Sequence, residues 1–104
     1  MKIRFYILDD LVKEAKERGI EEIRIEGLRK YREAGITWIT HFVKVTACDG
    51  KDLLTFEKTV GNSPYFDENR TKEISSKIEK AMEGLKKLLE KDGFTVKPGV
   101  IEEC

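Results

Sequence analysis

The sequence predicts an α+β fold in the order β-α-β-β-β-α-β, with a long helix packed on one face of an antiparallel sheet. Two runs rich in β-branched and aromatic residues flank Asp49-Gly50 within residues 39–60, and this pattern is the strongest short-range signal of a β-hairpin. Residues 67–92 repeat apolar side chains at helical spacing and stop at Gly93. At 104 residues the chain has the size of one domain, residues 1–104.

The first predicted element is a strand, in which Ile3, Phe5 and Ile7 alternate with Arg4 and Tyr6. A single helix starting at residue 3 is the alternative, because several apolar residues here also fit a period of 3.6. The β-branched and aromatic content favours the strand.

A short helix over about 9–18 follows. Asp9 or Asp10 is the predicted N-cap, and Gly19 is the predicted end. The apolar positions that would face the sheet are Leu11, Val12 and Ala15.

Residues 21–34 allow two interpretations. Ile23 and Ile25 alternate with Arg24 and Glu26, which predicts a strand ending near Gly27. Residues 29–34 would then form a loop or an irregular continuation of the strand. The alternative is a helix ended by a glycine at position 35, with one apolar side formed by Ile20, Ile23, Leu28, Tyr31 and Ala34.

The hairpin determines which side chains share a face of the sheet. If its loop is Asp49-Gly50 alone, a type I′ turn, Cys48 lies opposite Lys51. The pairs that follow are Val45 with Leu54, Val43 with Phe56, His41 with Lys58, and Ile39 with Val60. This face is apolar except at His41 and Lys58, so it is predicted to be the core face.

The closing elements are a long helix, about 67–92, and an edge strand. Ile74, Ile78, Ala81, Leu85 and Leu88 recur at intervals of four and three, which predicts one packing stripe. About 24 residues give roughly 36 Å of helix, enough to cover the hairpin along its length. Short apolar runs on either side of the Lys97-Pro98-Gly99 segment predict a last edge strand, because proline is tolerated there.

Composition excludes several functional classes. Twenty basic and twenty acidic residues cancel, so no overall field selects a polyanion or an anionic membrane. The absence of Gln and the abundance of Lys and Glu are typical of heat-adapted proteins. No apolar run is long enough to span a membrane, and no signal peptide is recognisable, so we expect a cytoplasmic protein.

No catalytic, metal or cofactor site is predicted. His41 is the single histidine, and a core position is the favoured interpretation over a general base. Strand alternation puts His41 and Cys48 on opposite faces, which disfavours a shared metal site. Cys48 and Cys104 are expected to be free thiols. The chain contains no glycine-rich phosphate motif and no zinc-protease motif.

Two surfaces are candidates for binding. The first is the non-core sheet face with Trp38, Phe42 and Lys44, where large apolar side chains can mark a subunit interface. The second is the basic and aromatic segment that could contact phosphates and stack a base, comprising Arg24, Arg29, Lys30, Tyr31 and Arg32.

The favoured function is therefore a non-enzymatic interaction protein that self-associates as a homodimer. Nucleic-acid binding through residues 24–32 and the outer sheet face is the alternative. An enzyme built around His41 is the least favoured hypothesis.

Overall fold

A computed structural model describes residues 1–104 and confirms the α+β class and the element order. The elements are β1 (Lys2–Phe5), α1 (Leu8–Glu17), β2 (Glu22–Ala34), β3 (Ile36–Cys48), β4 (Leu53–Pro64), α2 (Glu68–Lys91) and β5 (Thr95–Pro98). The five strands form one sheet in the order β1-β4-β3-β2-β5. No helix is both long and apolar enough to cross a membrane.

The sheet is mixed, whereas the sequence predicts antiparallel pairing throughout. β2, β3 and β4 form an antiparallel meander, but β1 pairs in parallel with β4, and β5 pairs in parallel with β2. Each edge strand has four residues and covers only one end of its neighbour. Beyond Ile25 of β2 and Phe56 of β4 the outer edges have no strand partner. We call this three-stranded extension, residues 26–44 and 57–64, the arm.

The helix interpretation of residues 21–34 is wrong, and so is the loop over 29–34. β2 runs without interruption to Ala34 because it pairs with β3 from Arg24↔Thr46 to Ala34↔Ile36. Gly35, at φ 79°, connects the two strands at the end of the arm. Long-range pairing therefore determines the secondary structure of a segment whose local sequence pattern is ambiguous.

The predicted two-residue turn is also wrong. The β3–β4 loop has four residues, 49–52, and Cys48 pairs with Leu53. Asp49 is the physical reason, because its Oδ1 accepts hydrogen bonds from the backbone N–H groups of Lys51, at 2.8 Å, and Asp52, at 2.6 Å. The pairing moves by two residues, so Val45 faces Phe56 and each side chain keeps its predicted face.

A β-bulge at Val60 changes the pairing again. Phe42 pairs with Thr59, whereas His41 pairs with Gly61, so Val60 is the extra residue. Because the longer loop and the bulge both shift the pairing, His41 lies opposite Gly61 rather than Lys58, and Ile39 lies opposite Ser63 rather than Val60. The bulge brings Ser63 of β4 to the same side as His41, which the simple alternation does not predict.

Both helices pack on the predicted core face and share one hydrophobic core, built from the apolar residues of α1, α2 and the strands. Leu11 of α1 and Leu89 of α2 are fully buried in it. Two glycines let α2 approach the arm closely. A Cβ on Gly27 would lie 2.6 Å from Ile78 Cγ2, and one on Gly61 would lie 3.2 Å from Ile74 Cδ1.

The helix boundaries differ slightly from the prediction. α1 begins at Leu8 with Ile7 at the N-cap position, so Asp9 and Asp10 lie in its first turn and cap nothing. Their charges still suit the positive end of the helix dipole. The predicted long helix is confirmed, and its Asp67 cap accepts a hydrogen bond from Arg70 N at 2.9 Å.

Cys48 and Cys104 form a disulfide, so the expectation of two free thiols is wrong. After β5 the chain crosses the sheet on the face opposite the helices, where Ile101 N donates to Thr46 Oγ1 at 3.0 Å. This path brings the Cα atoms of the two cysteines to 5.7 Å. Sequence spacing carries no information about such a path.

Candidate functional site on the arm

Strand alternation divides the predicted basic segment between the two sides of the sheet. We call the side opposite the two helices the open face and the other the helix side. Arg29 and Tyr31 lie on the helix side, since Arg29 Nη2 contacts Ser75 of α2 at 3.3 Å. Lys30 and Arg32 lie on the open face of the arm. Arg24 lies on the same face but outside the arm, next to Gly99 of the C-terminal segment.

Basic residues outnumber acidic ones on the open face. The strand register places seven of them there, namely Lys2, Arg4, Arg24, Lys30, Arg32, Lys44 and Lys97. The same register places three acidic residues there, Glu22, Glu26 and Glu57. The C-terminal segment adds Glu102 and Glu103 near the Cys48 end, so the positive excess lies on the arm together with Arg4 of the adjoining β1.

One carboxylate on this face is shared by three cations. Glu57 lies 3.7 Å from Arg4, 3.9 Å from Lys30 and 3.8 Å from Lys44. Arg4 and Lys30 are 59% and 67% exposed, and the three distances exceed those of a strong charge-assisted hydrogen bond. Three positive charges around one negative charge leave a local excess of two.

The predicted interface residues Trp38, Phe42 and Lys44 do lie on the open face, but they present little apolar surface. Phe42 is 5% exposed, and the Lys30 ammonium lies 5.1 Å from the centre of its ring. Lys44 is 16% exposed and pairs with Glu57. Trp38 is half-buried between its strand neighbours Arg32 and Pro64.

His41 is confirmed on the core face and is 1% exposed. Its Nε2 lies 2.9 Å from Ser63 Oγ, and Ser63 Oγ lies 3.0 Å from Thr71 Oγ1, so a short polar chain joins β3, β4 and α2. Burial lowers the pKa of His41, and the positive charge of Arg29 lowers it further. The imidazole is therefore neutral at pH 7. A catalytic role for His41 stays the least favoured hypothesis.

A cleft lies on the helix side of the arm. Its volume is about 530 Å³. Two exposed tyrosines, Tyr31 and Tyr65, form one wall with their ring centres 6.2 Å apart. Lys72 and Thr71 of α2 line the opposite wall. No group of three or more His, Cys, Asp or Glu side chains is arranged to bind a metal ion.

Several residues of these surfaces lie far from the predicted segment in sequence. Arg4 and Glu57 join the open face only because β1 pairs with β4, and Tyr65 meets Tyr31 only through the β3–β4 register. No local pattern marks any of them. These residues could have been identified only from the correct order of the strands in the sheet.

No protein-family model, curated protein or solved structure matches this chain.

Proposed function

We propose that the protein is a nucleic-acid-binding module that contacts phosphates with the open face of its arm. The observation that carries this proposal is the cluster in which Arg4, Lys30 and Lys44 share the single carboxylate of Glu57. A phosphate backbone supplies the negative charge that the cluster lacks.

The zero net charge of the chain does not argue against this proposal. What attracts a polyanion is the field at the binding surface, and here the basic side chains gather on one face. On the open face of the arm, Lys30, Arg32 and Lys44, together with Arg4 of the adjoining β1, outnumber the acidic residues Glu26 and Glu57. A phosphate chain running over the arm would meet this excess along its length.

The proposal is tested by removing charge from the arm and, in a matched control, from α2. Lys30→Gln/Arg32→Gln removes two exposed cations of the open face, and Lys80→Gln/Lys87→Gln removes two exposed cations of α2. We expect only the first variant to weaken binding of a labelled oligonucleotide. In a plot of log affinity against log salt concentration, the slope for this variant should be smaller in magnitude by about 1.4, because each of the two lost single-strand phosphate contacts contributes about 0.7. Equal effects of the two variants would contradict the proposal.

Self-association is a second candidate, favoured by exposed apolar side chains at the end of the arm. Ile36 is 42% exposed, Phe66 is 71% exposed, and Tyr65 N bonds to Thr37 O at 2.8 Å, which holds this segment beside β3. Large apolar side chains gathered at one site are typical of subunit interfaces. Two copies joined at this end would form a homodimer.

Light scattering at increasing protein concentration tests the second candidate. A dimer that dissociates in Phe66→Ser or Trp38→Ala, and persists in a variant of the exposed Leu88 on α2, would support it. A wild-type protein that remains monomeric at millimolar concentration would exclude it.

A further inference from the structure

The cleft on the helix side of the arm combines aromatic, cationic and hydroxyl groups in a volume of about 530 Å³. Tyr31 and Tyr65 are 59% and 62% exposed, although each carries a large apolar ring. Their rings meet edge to face at an interplanar angle of 61°, so part of each ring face stays free. Exposed aromatic faces of this kind stack nucleic-acid bases without sequence preference.

The cations of the cleft are not neutralised by ion pairs. Arg29 bonds the neutral hydroxyl of Ser75 at 3.3 Å, and Lys72 is exposed on the first turns of α2. Glu68 is the single acidic residue in the lining and forms no ion pair with either. Two cations beside two aromatic rings match the two parts of a nucleotide, its phosphate and its base.

A buried polar chain supports the wall of the cleft. Thr71 lines the cleft, and its Oγ1 is held 3.0 Å from Ser63 Oγ, which in turn contacts His41 Nε2 at 2.9 Å. His41 also lines the adjoining cavity of about 340 Å³, whose lining shares Arg29 with the cleft.

The open edge of β2 connects the cleft with the open face. Arg29 and Lys30 are consecutive, so strand alternation sends one charge to each side of an edge that has no strand partner beyond Ile25. A flexible single strand can bend round such an edge between neighbouring phosphates. A duplex, with a persistence length of about 150 base pairs, cannot.

We infer that the cleft between Tyr31, Tyr65, Arg29 and Lys72 takes an unstacked base and its phosphate, so that the ligand is single-stranded nucleic acid. The strand's other phosphates lie on the open face, and the inference thus rests on the proposed function. Tyr31 and Tyr65 stack the base. Arg29 and Lys72 hold the phosphate beside it, and the Thr71 hydroxyl offers a hydrogen bond to the base edge.

The experiment measures fluorescence anisotropy of a labelled oligothymidylate of twelve nucleotides and of a duplex of equal length, with thymidine monophosphate as a competitor. We expect the single strand to bind at least tenfold more tightly than the duplex. Tyr31→Ala/Tyr65→Ala should remove that preference and leave duplex binding and the salt slope unchanged. Tyr31→Phe/Tyr65→Phe keeps both rings and should retain wild-type affinity.

The outcomes separate this inference from the proposed function. Binding of duplex and single strand with equal affinity, or an alanine double variant that keeps the preference, would overturn the single-strand cleft and leave the open face as the binding surface. Competition by the monophosphate as effective as that by the unlabelled strand would show that the cleft serves free nucleotides and would overturn the inference. Absence of binding to every oligonucleotide would overturn both.

Discussion

The ammonium group of Lys30 lies 5.1 Å from the centre of the Phe42 ring, on a sheet face that no helix covers. Phe42 is 5% exposed although no helix covers it; its cross-strand neighbours are Leu28 and Thr59, and the Lys30 side chain lies over its ring. The same ammonium shares Glu57 with Arg4 and Lys44. Lys30 therefore contributes both to the burial of Phe42 and to the positive charge of the arm.

Replacing Gly27 by alanine should destabilise the protein by about 1–3 kcal/mol, the usual range for overpacking. The added Cβ would lie 2.6 Å from Ile78 Cγ2 and 3.2 Å from Met82 Sδ, so α2 would have to move away from the arm. Gly84→Ala is the matched control, because nothing lies within 4 Å of its Cβ and the residue is helical. That change should stabilise by about 1 kcal/mol. Urea denaturation measures both, and equal effects of the two variants would refute the close packing.

Removal of the disulfide should lower the free energy of unfolding by about 4 kcal/mol, the chain-entropy value for a loop of this length. The bond spans 56 residues and attaches the C-terminal segment to the end of β3. Denaturation of the wild type with and without reductant, compared with Cys48→Ser/Cys104→Ser, measures the effect. Reductant should destabilise the wild type and leave the double variant unchanged. Free thiols in the oxidised wild type, detected by alkylation, would show that the bond is absent.

The free energy of unfolding should decrease in acid as the Asp49 carboxylate of the β3–β4 loop becomes protonated. Backbone N–H groups of Asp52 and Lys51, and then the Arg18 guanidinium, lower the pKa of Asp49 to about 2. A carboxyl group whose folded pKa is depressed stabilises the fold above its unfolded value near 3.9 and loses that contribution as the pH falls toward 2. The stability difference between wild type and Asp49→Asn should therefore be constant above about pH 5 and shrink below it. A difference that stays constant down to pH 2 would contradict this role for Asp49.

The imidazole of His41 should titrate below its usual pKa of 6.5, because burial disfavours the charged ring and Arg29 repels it. The chain has one histidine, so its ring resonances are assigned without ambiguity in a proton NMR titration. Arg29→Gln should raise the pKa part of the way toward 6.5, since burial, the larger cause, remains. A wild-type pKa at or above 6.5 would contradict the burial of the ring and its closeness to Arg29.

The sequence predicts the elements of this fold better than their connections. Helical spacing located α2, and the alternation along β3 assigned His41 to the core face. The loop at Asp49 escaped prediction because Asp-Gly suits a two-residue turn, while the Asp49 carboxylate also caps a longer one. The bulge at Val60 escaped prediction, although an isolated glycine within a strand, here Gly61, is one sign of a bulge.

Only part of the candidate site could be predicted from the sequence. Arg29, Lys30 and Tyr31 were identified as one segment, but the length of β2 decides that they face opposite sides of an edge. Glu57 and Tyr65 enter the site through long-range pairing, which no local pattern encodes. The path of the C-terminal segment was equally invisible, and with it the disulfide.

The most direct test of the arm as a nucleic-acid-binding surface is a titration of isotope-labelled protein with a single-stranded oligonucleotide, followed by amide chemical shifts. If the arm binds nucleic acid, amide shifts should change with added ligand at Lys30, Phe42 and Glu57 and at both cleft tyrosines, while the solvent side of α2 around Lys80 and Lys87 stays unchanged. Shifts confined to α2, or no shifts at low salt, would show that the arm is not the binding surface.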